Sequence, residues 1–290
     1  MKIIQTFWSK PFLTENNNFQ NRFNGGWNSK LLNCISIAYS CMQFKKYYNK
    51  VELYTDTFGK ELLIDKLKLP YTKVHITLDD FDYNSKLWAL AKVKTYSLQT
   101  EPFIHADNDV FIFEKLPERI EKAQLLAQNE CIDFITLYKM MKEVYKEFNT
   151  IDTFIDDNYI NSSDLIFGNC GIIGGNNFEF FDEYSKRVFS LIEENKDRLQ
   201  YTSLEMMPQV YEEYLYYCMA RGLDIDMEFL LLPFEVDFNS DIVNFNSNYV
   251  HIIGTFKKME EINKIIEKKF KKDYHEKYNS IKKLISDNKI

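Results

Sequence analysis

The chain has 290 residues, enough for one large domain or two small ones with a proper hydrophobic core. Its 45% apolar and 27% charged residues are those of a globular protein, and nothing in it looks like a membrane span. The net charge of −7 argues against nucleic acid as a general partner, and five scattered Cys with no Cys-x-x-Cys argue against a disulfide frame or zinc-thiolate site.

Met1 to Trp8 reads as a first strand, ended by Ser9-Lys10-Pro11. This aromatic start is too short for a signal peptide, so a cytoplasmic location is expected. An Asn-rich loop and Gly25-Gly26 follow. Leu31, Ile35, Ala38, Tyr39 and Met42 fall at helical spacing and predict an amphipathic helix. Val51 to Thr55 reads as a strand closed by Asp56 and Gly59, and a helix over Glu61 to Lys68 stops before Pro70. Lys73 to Leu78 predicts a strand, Ser85 to Gln99 a helix, and then comes Phe103-Ile104-His105-Ala106-Asp107-Asn108-Asp109-Val110-Phe111-Ile112-Phe113. Alternating strands and helices of this kind predict a mostly parallel sheet covered on both faces, with ligands at the carboxyl ends of the strands.

Further on, Leu165 to Ile173 is apolar but interrupted by Gly168 and Gly171, and Gly174-Gly175 follows. Helices are expected over Glu179 to Asn195 and Pro208 to Arg221, and strands over Phe229 to Pro233 and Tyr249 to Ile253. From Lys257 to Ile290 there are eleven Lys against six Asp and Glu, a local +5 that leaves −12 on the remainder. Apolar residues at Met259, Ile262, Ile266, Phe270, Tyr274, Tyr278, Ile281 and Ile285 make this tail one or two amphipathic helices. A solvated basic face, or weak contact with an anionic membrane surface, is the expectation for its outer side. No repeat or composition break marks a second domain, so residues 1–257 are expected to form the main domain with 258–290 packed on it.

Two stretches carry chemistry. Asp107 and Asp109 split two apolar runs, and burying unpaired carboxylates is expensive unless a cation neutralises them. A hard divalent ion held by one or two carboxylates plus phosphate oxygens would do so; a plain Asx-turn is the alternative. His251-Ile252-Ile253-Gly254-Thr255-Phe256-Lys257 offers an imidazole ligand, a small residue and a cation, each three apart. These suit a loop around a metal-bound diphosphate.

Taken together, the Asp-x-Asp and the His-x-x-Gly-x-x-Lys resemble nucleotide-sugar glycosyltransferases of the GT-A fold, closest to the glycogenin and lipopolysaccharide-galactosyltransferase group. The segments Trp8-Ser9-Lys10-Pro11, Gly25-Gly26-Trp27, Glu52 to Asp56 and Phe167 to Gly175 extend the likeness to a bacterial glycosyltransferase-like family. The resemblance implies a Rossmann-like mixed sheet flanked by helices with a C-terminal helical extension. It implies Mn²⁺ or Mg²⁺ on Asp107, Asp109 and His251, and a donor, a UDP-sugar by analogy, against Thr6, Lys92, Asn108, Gly171, Gly254 and Lys257. Asp56, at a strand end, is placed to meet the base or ribose, with a helix cap as the alternative. Glu212 and Glu213 both flank one apolar stripe, so phase leaves the catalytic acid open between them; the likeness puts Asn169 beside the sugar. His105, where Leu or Asp is usual, and Lys258-Met259, in place of Pro-Trp, depart from the pattern. The acceptor (glycan, lipid carrier, peptide or small molecule) is not legible. A non-catalytic nucleotide or glycan binder and a nucleotidyltransferase are the rival expectations.

Overall fold

The computed structural model describes residues 1–13, 25–133, 136–161, 165–231, 245 and 247–290. The chain opens on strand β1 (Lys2–Phe7) and a short helix α1 (Lys10–Leu13). Helix α2 (Lys30–Tyr47), strand β2 (Val51–Thr55), helix α3 (Thr57–Lys60) and strand β3 (Lys73–Ile76) follow. Helix α4 (Leu90–Ser97) leads to β4 (Phe103–Ala106) and β5 (Val110–Ile112), parted by the acidic turn. Next come α5 (Glu118–Lys122), β6 (Leu125–Ala127), β7 (Glu130–Asp133), α6 (Thr136–Glu147) and α7 (Thr153–Asn161). Then follow β8 (Leu165–Gly168), β9 (Ile172–Gly175), α8 (Phe180–Glu194), α9 (Leu215–Gly222) and β10 (Met227–Phe229). Strand β11 (Tyr249–His251) and helices α10 (Glu260–Asp273) and α11 (His275–Ser286) end the chain.

The architecture is α/β: a mixed seven-stranded sheet in the order β10-β6-β9-β4-β1-β2-β3, flanked by helices. Strands β1, β2 and β3 are parallel neighbours, as are β10 and β6, whereas β6 and β9 run antiparallel. The chain divides into two compact units, one built from residues 82–105 and 116–235, the other from 2–81, 106–115 and 236–290.

In the unit that contains β1, all six residues of that strand are buried, the polar Lys2, Gln5 and Thr6 among them, as a covered parallel strand requires. Ser29 caps α2 by accepting the Leu32 N–H at 3.2 Å. The α2 ring of Tyr39 meets Phe111, Phe270 and Tyr274, and its hydroxyl donates to Asp273 at 2.6 Å. Ile266, Phe270 and Ile281 are fully buried, so α10 and α11 close the core over α2. Each such side chain contributes about 1.5–3 kcal/mol. The basic tail is therefore two core helices with lysines outside.

In the other unit, α8 lies against α4, with Ser185 donating to the Val93 carbonyl at 3.2 Å. Gly174 has φ +148, and a Cβ there would stand 2.2 Å from the Phe103 carbonyl oxygen. That contact explains the glycine: only a residue without a side chain lets the backbones approach so closely.

Several boundaries differ from the sequence pattern. The helix expected from Ser85 begins only at Leu90, because Asn84 takes the Lys86 N–H with its side chain at 3.0 Å and holds a turn there. The helix after Pro208 starts as a wider π-helical stretch, Gln209–Tyr214, before α9. The apolar run from Leu165 is two strands, β8 pairing with β7 and β9 with β6. The Asn-rich loop and the end of the strand expected at Phe229 to Pro233 lie outside the described residues, and β10 ends at Phe229. Among the described residues no helix is long and apolar enough to cross a membrane.

Candidate metal centre

The metal candidates fall within one compact unit. After β4 the chain turns at Asp107-Asn108-Asp109, closed by the Val110 N–H donating to the Asp107 carbonyl at 3.1 Å. The backbone of this turn is pinned from below. Asn108 donates to the Thr6 carbonyl at 2.7 Å, and the Asn108 carbonyl accepts from Ser36 at 2.9 Å. Ser40 donates to the Asp107 carbonyl at 3.3 Å and accepts from the buried Gln5 amide at 2.8 Å. Thr6 and Asn108 thus hold the acidic turn on β1.

The second half of the centre comes through strand pairing. Strands β5 and β11 are antiparallel with His251 opposite Val110, and the Ile252 N–H donates to the Asp109 carbonyl at 3.1 Å. This register brings the imidazole alongside the carboxylates. Asp107, Asp109 and His251 each offer a ligand atom within 4.8 Å of the others. The His251 Nε2 stands 3.4 Å from an Asp109 oxygen, and His251 is only 4% exposed. Ligand atoms about 2.1 Å from one small divalent ion lie at most about 4 Å apart, so a slight contraction would close the shell. Two carboxylates and one imidazole are a donor set that could hold a divalent metal ion.

Just past His251, residues Gly254–Lys258 form a short helical turn. Gly254 has φ +49, a left-handed conformation natural to glycine, and a Cβ there would meet nothing within 4 Å. Lys257 Nζ contacts the other Asp109 oxygen at 2.5 Å and donates to the Gly25 carbonyl at 3.2 Å. Burial alone would raise the Asp109 carboxyl, but Lys257 and then His251 outweigh it and hold it below the usual carboxylate range. Asp109 is therefore an anion at neutral pH, as a metal ligand must be.

Asp56 follows the capping alternative in its geometry. One oxygen accepts the Gly59 N–H at the start of α3 and the other the Ser9 N–H, each at 2.7 Å. Both oxygens are thus used to fix the ends of β1 and β2.

The remaining candidates lie in the other unit. Lys92 is buried rather than solvent-facing: it forms an ion pair with Glu212 at 2.8 Å, and both are buried. The Tyr96 hydroxyl donates to the same Glu212 oxygen at 2.9 Å, and Lys92 stands 5.1 Å from the Trp88 ring centroid. His105 meets the edge of Tyr96, and burial together with the Lys92 charge keeps its imidazole neutral. Glu212 is 2% exposed whereas Glu213 is half-buried, so the structure separates two residues that helical phase left equivalent. Asn169 accepts the Gly171 N–H with its side chain at 3.0 Å, and its carbonyl accepts from Gln128 at 2.9 Å. This is a tightly held Asx-turn at the start of β9.

Two features escaped the sequence reading. Ser36 and Ser40, four apart on α2, are the pins under the acidic turn; polar residues at i, i+4 in an apolar stripe were the signal. Lys92 and Tyr96 share the same spacing on α4, but nothing local points to Glu212.

A family model described as "Family of unknown function (DUF6734)" matches residues 1–284. The chain belongs to this family. No curated protein is significantly similar to this DUF6734 chain. Among solved structures it is similar to the galactosyltransferase LgtC in complex with donor and acceptor sugar analogs, with TM-score 0.37 and 12% identity over 73% of this chain and 70% of that one. An active-site mutant of LgtC gives TM-score 0.40 and 12% identity over the same 73% and 70%. The glycosyltransferase GlyE of Streptococcus pneumoniae TIGR4 gives TM-score 0.45 and 9% identity over 99% of this chain and 63% of GlyE, so the chain spans less than two thirds of GlyE.

Proposed function

We propose that this chain is a metal-dependent glycosyltransferase that moves a sugar from a nucleoside-diphosphate sugar, with UDP-sugars the donor class, to an acceptor hydroxyl. The observation that carries this reading is the meeting of Asp107, Asp109 and His251 beside Lys257. Two motifs far apart in the chain, each weak alone, meet in one cluster of charged side chains. Asp107, Asp109 and His251 would hold Mn²⁺ or Mg²⁺, which supplies Lewis-acid neutralisation of a departing diphosphate. Lys257 adds a point charge for the diphosphate, and the open space over Gly254 lets phosphate oxygens reach the backbone. Thr6 and Asn108 position the acidic turn, and Asp56 fixes the strand ends beside which a base would lie. Within the other unit, Glu212, held by Lys92 and Tyr96, is the acid assigned to turnover.

The Lys257–Asp109 pair favours one rival, a nucleotide or glycan binder in which the protein's own ammonium replaces the ion. Hydrolysis of UDP-sugars in Mn²⁺, measured beside thermal shift by UDP with and without Mn²⁺, separates the two. Turnover that is abolished by chelation supports the transferase; stabilisation without turnover supports the binder; neither response rejects both.

A further inference from the structure

We infer that Lys257 is a resident cation that competes with the divalent ion for Asp109 and is released towards diphosphate only when the ion binds. This rests on the reading of Asp107, Asp109 and His251 as metal ligands, and adds a built-in coupling between metal and diphosphate. The ammonium sits 2.5 Å from Asp109, and the side chains are only 17% and 12% exposed. Water screens such a pair weakly, so the ammonium is a real occupant of the charge the ion needs.

The lysine is also seated. A Cβ on Gly26 would come 3.2 Å from Lys257 Cδ, and Gly25 and Gly26, at φ +60 and +86, bring the Gly25 carbonyl to the ammonium. Lys258 donates to the Trp27 carbonyl at 3.3 Å, and the Asn28 side chain donates to the Lys258 carbonyl at 3.0 Å. Residues 25–28 are thus tied to the 254–258 turn and hold Lys257 on Asp109.

A divalent ion drawn to the same carboxylate would face the ammonium as a like charge. The two can coexist once an anion lies between them, and a diphosphate is that anion. Metal alone should therefore bind the wild-type chain less tightly than its three ligands would allow. Diphosphate should tighten metal binding, and by linkage metal should tighten diphosphate binding equally.

The test is calorimetric titration of Mn²⁺ into the full chain, alone and with inorganic pyrophosphate, for wild type, Lys257→Gln and Lys257→Met. The two variants guard against a fold defect peculiar to one. Expected is Mn²⁺ affinity raised about tenfold or more by either substitution without pyrophosphate, and a smaller gain on adding pyrophosphate than in wild type. Wild type that binds Mn²⁺ while both variants bind it no tighter overturns the inference alone. An absence of Mn²⁺ binding in all three overturns the metal reading and the inference with it.

Discussion

Asp109 is buried between His251 and Lys257 in the candidate metal centre, and Glu212 is the buried, paired carboxylate of the other unit. Glu212 offsets the charge of Lys92 where water is scarce. Removing one partner of a buried pair costs about 3–5 kcal/mol, since the other charge is left without compensation. Glu212→Gln should therefore lower the melting temperature clearly and lose turnover at temperatures where the chain stays folded, with UDP affinity retained. Glu213→Gln should stay within about 0.5 kcal/mol of wild type in stability and keep its turnover. Equal effects from the two, in melting and in turnover, would remove Glu212 from its assigned place. At this scale the Asp107, Asp109 and His251 cluster was legible as a candidate because two carboxylates inside an apolar run call for a neutralising partner. Lys92 and Glu212 were not read as a pair, since their meeting depends on how separate elements pack.

Elements explain why these side chains meet. The β5–β11 register matters because a one-residue slip would turn His251 to the other face. At the Gly174 approach, Gly174→Ala places a methyl against the Phe103 carbonyl and should cost more than about 2 kcal/mol. A denaturation midpoint close to wild type would show that the strands can separate there without penalty. Strands β1 and β2 were legible from short stretches rich in β-branched and aromatic residues bounded by turn signals, and the long α2 from 3.6-residue periodicity. The delayed start of α4 and the π-helical stretch at Gln209–Tyr214 were not. Local hydrogen bonding sets the first, and hydrophobic spacing cannot report the second.

For the whole molecule, the sequence predicted an α/β architecture, and the mixed seven-stranded sheet flanked by helices is what the chain forms. The pattern did not reveal the two compact units, because their boundaries cut across the chain order and composition does not change there. The tail was legible through its apolar spacing rather than its charge: the expected amphipathic helices are α10 and α11, whose Phe270 and Ile281 are fully buried in the core around α2. A chain truncated after residue 258 should lose cooperative unfolding and bind a hydrophobic dye, because Tyr39 and Phe111 lose their cover. A soluble truncated chain with a sharp melting transition would show α10 and α11 to be accessory.

The most direct test of the metal centre is equilibrium dialysis of the full chain against Mn²⁺, alongside Asp109→Asn and His251→Ala, with folding checked by circular dichroism. One saturable ion per wild-type chain, absent from both variants, is the result predicted. No saturable binding to wild type, or the same binding in the variants, would contradict a centre formed by these side chains.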